Sequence, residues 1–274
     1  MEKNLSIIIV SFNTKGFLEK CLESIFHQGD NKDIEVIVVD NGSQDDSCEM
    51  IKNKFPQVKL IENKENLGFG RANNQGAKIA LGEYLFLLNP DTLIKENIFP
   101  QIIEFFKNNS SVGIITPLFV LENGVGQSWS FGKEKKFWQL IKNKLFKKED
   151  WAKYKVPDSP LEVDYVAGAA LAIKVDVFRK INGFDERFFV YYEDEDLCLR
   201  VKKEGYKIVV LPKIKVVHFG GKSLISNKIR KKLYYQSQNY FWRKHYGLAS
   251  SILLRFIRWP YKFYILNFKK GLTP

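Results

Sequence analysis

Cysteine is scarce in this sequence. Its three residues, Cys21, Cys48 and Cys198, are odd in number and widely spaced. No disulfide framework and no paired-cysteine metal site can be read from them, and such usage points to a reducing compartment. Long apolar runs are missing too: no stretch of about 18 uninterrupted apolar residues occurs, so no ordinary transmembrane helix is expected. The opening "MEKNLSIIIVSF" holds an apolar run too short for a signal peptide and lacks a small-residue cleavage site. Internal repeats and low-complexity tracts are not visible. Acidic residues vanish near the end. From Gly205 to Pro274 there are 15 Lys and Arg and not one Asp or Glu, whereas the first 204 residues balance 28 basic groups against 31 acidic ones. The net charge of +12 therefore belongs to the last quarter. That asymmetry suggests a surface for an anionic partner joined to an otherwise balanced protein.

At 274 residues and 45% hydrophobic, the chain can bury one large core or two small ones. "LSIIIV" (5–10) and "IEVIVVD" (34–40) read as buried strands ending in polar "SFNTKG" and "NGSQD". Phe17, Cys21, Leu22, Ile25 and Phe26 recur between them at helical spacing, and Met50, Ile51 and Phe55 share a later helix face. "VKLIE" (58–62) and "EYLFLLN" (83–89) predict two more strands, separated by the glycine-rich "NLGFGRANNQGAKIA" running into a helix. This alternation predicts an α/β fold with a parallel, doubly wound sheet. Ligands bind beyond the carboxyl ends of such strands. The polar residues gather there: Ser11 and Asn13, Asp40 and Asn41, Asn89 and Asp91. The same residue types build plain turns, but three such ends on one rim favour a site. From about 117 to 162 the pattern breaks down into a basic, aromatic, loosely helical segment, with Phe137, Leu140, Ile141 and Leu145 on one side. It reads as an insertion or flap. "VDYVAGAALAIKVDVF" resumes with a strand and a helix start, "YKIVVLP" and "KVVHFGG" read as two strands, and "SNKIRKKLYYQSQNYFWRKHYG" as a helix.

The stretch "FVYYEDEDLCLR" (189–200) sets Glu193, Asp194, Glu195 and Asp196 side by side. Acidic residues are favoured at helix N-termini, and Leu197, Val201 and the stem of Arg200 would supply a buried face. The apolar wall before the run, Phe188 to Tyr192, can equally desolvate a carboxylate and raise its basicity. The residues leave both readings open. Arg71, at a helix start, suits a phosphate because guanidinium pairs with phosphate oxygens in two-pronged fashion. His218 ends a strand beside two glycines and reads either as structural or as a metal ligand.

In order along the chain, "SIIIVSFN", "VIVVDNGSQDDS", "ENLGFGRANNQG", "FLLNPDT", "GFDERFFVYYEDEDLCLR" and "HFGGKS" resemble the motifs of the family 2 inverting glycosyltransferases. The likeness is to the bacterial rhamnosyltransferase-like branch and covers roughly residues 5 to 245. It implies a GT-A fold over 1–246, with a nucleotide-binding half (1–116), an acceptor-side half (117–222) and a C-terminal helix (223–246). It implies a nucleotide-sugar donor, dTDP-rhamnose ahead of the UDP-hexoses, and a saccharide acceptor, lipid-linked, in bacterial surface-polymer synthesis. By the resemblance Asp40 contacts the nucleobase, with Ser11, Asn13, Asn41, Arg71 and Asn89 around the nucleoside and phosphates. Asp91 and His218 would hold Mg²⁺ or Mn²⁺ on the diphosphate. Asn89-Pro90-Asp91 offers one carboxylate where the fuller family pattern has two. Asp194 matches the family's base, Asp196 is the alternative register, and Glu193 and Tyr192 would face the acceptor. Among rival classes, a sugar-phosphate nucleotidyltransferase needs a glycine-rich basic loop after its first strand, and "SFNTKG" is not one. A nucleic-acid partner is not expected, since no recognition module is visible. A non-catalytic binding relative would keep the motifs without the transfer.

The tail, 247–274, places Arg255, Arg258, Lys262 and Lys269 at helical spacing beside Ile252, Leu253, Phe256, Trp259, Phe263 and Leu266. Pro260 is expected to kink or interrupt any helix there. Aromatic bodies with cationic neighbours suit the headgroup region of an anionic membrane, and the alternative is a helix packed on the protein itself or on a second subunit. The expected location is cytoplasmic, peripheral on the inner face of the cell membrane.

Overall fold

The computed structural model describes residues 3–29, 32–127, 130–133, 158–220 and 227–267, without the side chains of 227 and 259–267. Phe137, Leu140, Ile141 and Leu145 lie outside the described residues, as do the side chains of Trp259, Lys262, Phe263, Leu266 and Lys269.

The first half runs β1 (Leu5–Ser11), α1 (Lys15–Phe26), β2 (Ile34–Asp40), α2 (Ser47–Lys54), β3 (Lys59–Glu62), α3 (Phe69–Ile79) and β4 (Tyr84–Leu88). It continues through β5 (Thr92–Leu93), α4 (Phe99–Asn108), β6 (Val112–Val120), β7 (Phe131–Gly132), β8 (Leu161–Val163), β9 (Tyr165–Val166) and β10 (Ala170–Lys174). Last come α5 (Val175–Lys180), α6 (Glu193–Lys203), β11 (Lys207–His218) and α7 (Asn227–Asn267). β3, β2, β1 and β4 are parallel, in that spatial order. β10 joins antiparallel between β4 and β6, β6 runs parallel to β11, and β5 and β8 pair antiparallel with β11.

The apolar strand runs are continuous because both sheet faces are covered. Side chains alternate across the sheet, so Leu5, Ile7 and Ile9 enter one core with Leu18, Leu22, Ile51, Phe99 and Phe106, while Ile8 enters another with Ala72, Val177, Leu197 and Val201. Each fully buried large aliphatic side chain contributes roughly 1.5–3 kcal/mol. Helix α3 lies hard against the sheet: a Cβ on Gly76 would stand 2.7 Å from Ile8 Cγ2.

Four expectations are corrected. The pattern does not break at 117, because Val112–Val120 is a fully buried central strand whose two covered faces erase any alternation. "YKIVVLP" and "KVVHFGG" are one strand, β11, and a register shift between Leu211 and Lys215 absorbs Pro212, which has no N–H to give the ladder. Pro260 does not interrupt α7; the non-helical residue is Gly247, at φ 86°. The segment after Gly247 also folds back on the one before it. Ser251 Oγ donates to the Asn239 carbonyl at 3.1 Å, and Arg258 is buried, bonded to Gln238 and Asn239 and stacked over Tyr235. Arg258 is thus a packing residue and not one of the outward cations expected of the tail.

Candidate active site

The strand registers decide which residues share an edge of the sheet. Ser11 pairs with Asp40 and Asp40 with Glu62, while Leu88, the residue before Asn89, lies opposite Ile9 and Ala170. His218 pairs with Thr92, next to Asp91. The ends of β1, β2, β4 and β11 and the start of β10 therefore meet on one rim.

At the first corner, Asp40 is buried. Its Oδ1 accepts from the Gly42 and Ser43 N–H groups at 3.0 and 2.8 Å, which fixes the turn after β2. Its Oδ2 is also buried but has no hydrogen-bond partner among the described residues. An unmatched buried oxygen costs about 1–3 kcal/mol, and a ligand N–H would relieve that cost. The neighbours named in the sequence serve mostly as scaffold. Ser11 Oγ bonds Thr14 Oγ1 at 2.9 Å, and Asn13 Oδ1 accepts from the Gln44 N–H at 2.7 Å. Asn41 is buried, with Nδ2 toward Asn66 Oδ1 and the Gly68 carbonyl and Oδ1 accepting from Asn63. Its carboxamide holds the 63–68 loop and is spent on that contact. Arg71 is exposed in the first turn of α3, 3.6 Å from Glu186.

At the second corner, His218 Nε2 stands 3.5 Å from Asp91 Oδ1. Gln127 fixes the ring: its Nε2 donates to the His218 carbonyl at 2.7 Å, so its Oε1 faces His218 Nδ1 at 3.1 Å as an acceptor. A neutral His218 therefore carries its proton on Nδ1 and presents the Nε2 lone pair toward a carboxylate. Asn89 is anchored through its backbone, its N–H donating to the Ala169 carbonyl at 2.8 Å. Among the described residues no group of three or more His, Cys, Asp or Glu could hold a metal.

At the third corner the acidic run does open a helix, α6. The chain enters it through Tyr191 and Tyr192, both left-handed at φ 68° and 67°, a conformation that costs a non-glycine residue about 1–3 kcal/mol each. The entry is braced against the glycine-rich loop. Phe69 N–H donates to the Phe189 carbonyl at 3.0 Å, and a Cβ on Gly68 would come within 2.5 Å of that same oxygen.

The four carboxylates then separate by environment. Asp194 accepts the Gly168 N–H on Oδ2 at 3.0 Å and the Glu195 N–H on Oδ1 at 2.8 Å. Burial pushes its carboxyl up, partly offset by those two bonds. Glu193 is buried with Oε2 unpartnered among the described residues, and burial and then Asp194 push it well above the usual range. Of this adjacent pair Glu193 is raised the further, and Asp194 is the one with backbone donors on both oxygens. Asp196 is fully buried and engaged by Arg200 at 2.8 Å, Lys244 at 2.5 Å and His245 at 2.7 Å. Burial alone would raise its carboxyl, but His245, Arg200 and Lys244 together hold it below the usual range. Tyr192, expected at the acceptor, turns instead to α7, where its hydroxyl meets Tyr234 at 3.1 Å and Gln238.

Sequence reasoning missed Gly168, Gln127, Lys244 and His245. Gln127 lies where the pattern had dissolved, and the other three act through contacts 26 to 49 residues away in sequence.

Comparison with known proteins adds three findings. The family model described as "Glycosyl transferase family 2" matches residues 6–179, and one described as "N-terminal domain of galactosyltransferase" matches residues 152–221. The chain is 24% identical over 237 residues to an N-acetylglucosaminyl-diphospho-decaprenol L-rhamnosyltransferase of Mycobacterium tuberculosis, covering 78% of this chain and 75% of that one. It is 27% identical over 226 residues to the rhamnosyltransferase WbbL of Escherichia coli, covering 78% and 82%. Among solved structures it resembles GalNAc-T7 with UDP, GalNAc and Mn²⁺, at a TM-score of 0.63 and 17% identity, over 96% of this chain and 57% of that one. That likeness shows the fold alone, which is GT-A, with a mixed, mostly parallel sheet, as expected from the sequence.

Proposed function

The chain belongs to glycosyl transferase family 2, and from that membership we propose an inverting transferase that moves rhamnose from dTDP-rhamnose to a hydroxyl of a lipid-linked saccharide acceptor. The observation that carries the proposal is the Asp194 carboxylate, oriented by two backbone donors and beside buried Glu193, on the rim that also carries Asp40, Asp91 and His218. Asp194 takes the proton of the acceptor hydroxyl as its oxygen attacks the anomeric carbon. The bond from that carbon to the diphosphate oxygen breaks on the opposite face, so configuration inverts and a nucleoside diphosphate leaves. Glu193, buried beside the base with its carboxyl pushed well above the usual range, meets the acceptor. Asp40 Oδ2 accepts an N–H of the nucleobase, which satisfies its missing partner, and Arg71 reaches the phosphates.

Asp91 and His218 fit a divalent ion, Mg²⁺ or Mn²⁺, because two lone-pair donors face one another at 3.5 Å with no third protein ligand among the described residues, which leaves room for phosphate oxygens. When bound, such an ion neutralises charge on the leaving diphosphate. The rhamnosyl donor is supported by the names of the two relatives, and the lipid-linked acceptor by that of the first. UDP-hexose donors rank second.

No helix among the described residues is long and apolar enough to cross a membrane. After Gly247, however, α7 exposes Leu248, Ile252, Leu253 and Phe256 on the face away from Leu254 and Arg258, with exposed Arg255 among them. We place this face on an anionic membrane surface on the cytoplasmic side, beside a lipid-linked acceptor. The test of the activity is nucleotide release from dTDP-rhamnose, UDP-glucose, UDP-galactose and UDP-N-acetylglucosamine with lipid-linked acceptors. Acceptor-dependent release from dTDP-rhamnose is expected. Release from a UDP-sugar alone would correct the donor, and release from none would remove the transferase reading.

A further inference from the structure

Arg258 is a buried cation whose guanidinium bonds only neutral oxygens among the described residues. Its Nε donates to the Leu254 carbonyl at 3.1 Å, and Nη1 and Nη2 donate to the carboxamide oxygens of Gln238 and Asn239. An aliphatic side chain would fill the same space without desolvating a charge, so packing alone does not account for an arginine here. What an arginine adds is direction, because it can only donate. It holds Gln238 with Oε1 toward Nη1, which turns Nε2 toward the Tyr192 hydroxyl. Tyr192 accepts there and has its own proton for Tyr234 Oη at 3.1 Å. Burial pushes the Tyr192 hydroxyl well above its usual range, so it stays a neutral link. A directed chain of hydrogen bonds thus runs from the segment after Gly247 to the entry of α6.

That entry needs holding. Tyr192 opens α6, its carbonyl accepting the Asp196 N–H at 2.9 Å, but its own side chain makes no capping hydrogen bond. Tyr191 and Tyr192 are both left-handed, a conformation that persists in such residues only where the surroundings enforce it. Helix α7 does much of the enforcing. Ser237 Oγ donates to the Val190 carbonyl at 2.7 Å, and the Tyr191 and Tyr192 rings lie 5.7 and 5.3 Å from Tyr234. Asp194 follows Tyr192 by two residues. A change of backbone angle at Tyr192 would swing that carboxylate off the Gly168 N–H that orients it.

We propose that Arg258 is a positioning residue for the transfer: through Gln238 and Tyr192 it holds the entry of α6 and so aims Asp194. The consequence for catalysis rests on the transferase reading; the linkage does not. The test uses the full chain in vesicle-free buffer, so that membrane attachment does not enter, with Arg258→Met, Arg258→Lys and Tyr192→Phe. Hydrogen exchange reads the linkage. Arg258→Met and Tyr192→Phe should each speed exchange about tenfold across 188–197 and leave 34–62 unchanged. Initial rates with dTDP-rhamnose and farnesyl-diphospho-N-acetylglucosamine read the consequence. In both variants kcat should fall about tenfold with the donor KM within about twofold, since a misaimed base weakens only the chemical step. The double variant should be no slower than either single one, as members of one chain are not additive. Arg258→Lys keeps a donor for Gln238 and should recover much of the loss. Full dTDP binding shows that each sample is folded; should Arg258→Met lose it, Tyr192→Phe and Arg258→Lys decide. Packing alone predicts faster exchange confined to 231–258, with 188–197 at the wild-type rate, and that result overturns the proposal. So does a wild-type kcat in Tyr192→Phe, or additive losses in the double variant. A wild type that turns over no donor would strike the transferase reading, and the exchange pattern would still decide whether Arg258 holds the α6 entry.

Discussion

Replacing Asp194 by Asn keeps the shape of the side chain and removes its basic function. General-base catalysis is typically worth ~10²–10⁴-fold, which at 1.36 kcal/mol per tenfold is about 3–5 kcal/mol of barrier. The structural cost is smaller. The carboxamide can accept from the Gly168 N–H or the Glu195 N–H but not from both, and one unmatched donor costs about 1–3 kcal/mol. Relief of the repulsion on buried Glu193 offsets part of it. A melting temperature only a few degrees lower is therefore expected. Donor affinity should hold, because Asp40, Asp91 and His218 sit on other strands. The wild-type rate should fall as pH drops through the Asp194 value, which burial has raised above an ordinary carboxylate, and Asp194→Asn should lack that acid limb. Initial rates of nucleotide release across pH, beside nucleotide affinity, read all of this. A variant turning over within about threefold of wild type, far short of the loss expected of a missing base, would refute the reasoning. So would a preserved acid limb.

Activity should require Mg²⁺ or Mn²⁺ and disappear in excess EDTA, with Asp91→Ala at least as damaging; full activity in chelator would remove the metal from both Asp91 and His218. Asp196→Asn should act on stability, since breaking a buried charged cluster costs about 3–5 kcal/mol. Asp196 and Asp185, the latter bonded to Arg187, Lys244 and Tyr240, both have carboxyls held below the usual range. Their stabilisation is complete above the unfolded value near pH 4 and is lost as pH falls through the folded ones. Melting temperature should thus drop below about pH 4, less steeply in Asp196→Asn, and a normally stable variant that has lost turnover would make Asp196 the base instead. The full chain should sediment with anionic vesicles at moderate salt, and the double variant Leu253→Glu, Phe256→Glu should not; equal sedimentation would defeat the membrane face.

The parallel half of the fold was legible because its strands are continuous apolar runs punctuated by turn residues, and that pattern is local. β6 was not legible, since Gly113, Thr116 and Pro117 interrupt the apolar run of Val112–Val120. At the site, residue identity pointed to Asp40, Asp91, Asp194 and His218, but not to how each is held. Nothing local tells that Asp196 is consumed by Lys244 and His245, or that Tyr192 faces α7. Those contacts depend on where a helix some 40 residues later docks. Nor does a tyrosine pair announce two left-handed backbones. The tail's amphipathic pattern was readable, yet Arg258 changed sides because Gly247, and not Pro260, sets where the helix turns.

The central claim is a direct displacement at the anomeric carbon, and the product's configuration reports on it without any substitution. Incubating the protein with dTDP-rhamnose, Mn²⁺ and a lipid-linked saccharide acceptor, then reading the new linkage by the one-bond carbon–proton coupling at its anomeric position, decides the matter. The account predicts a single product whose anomeric configuration is opposite to that of the donor. A product of retained configuration would contradict it.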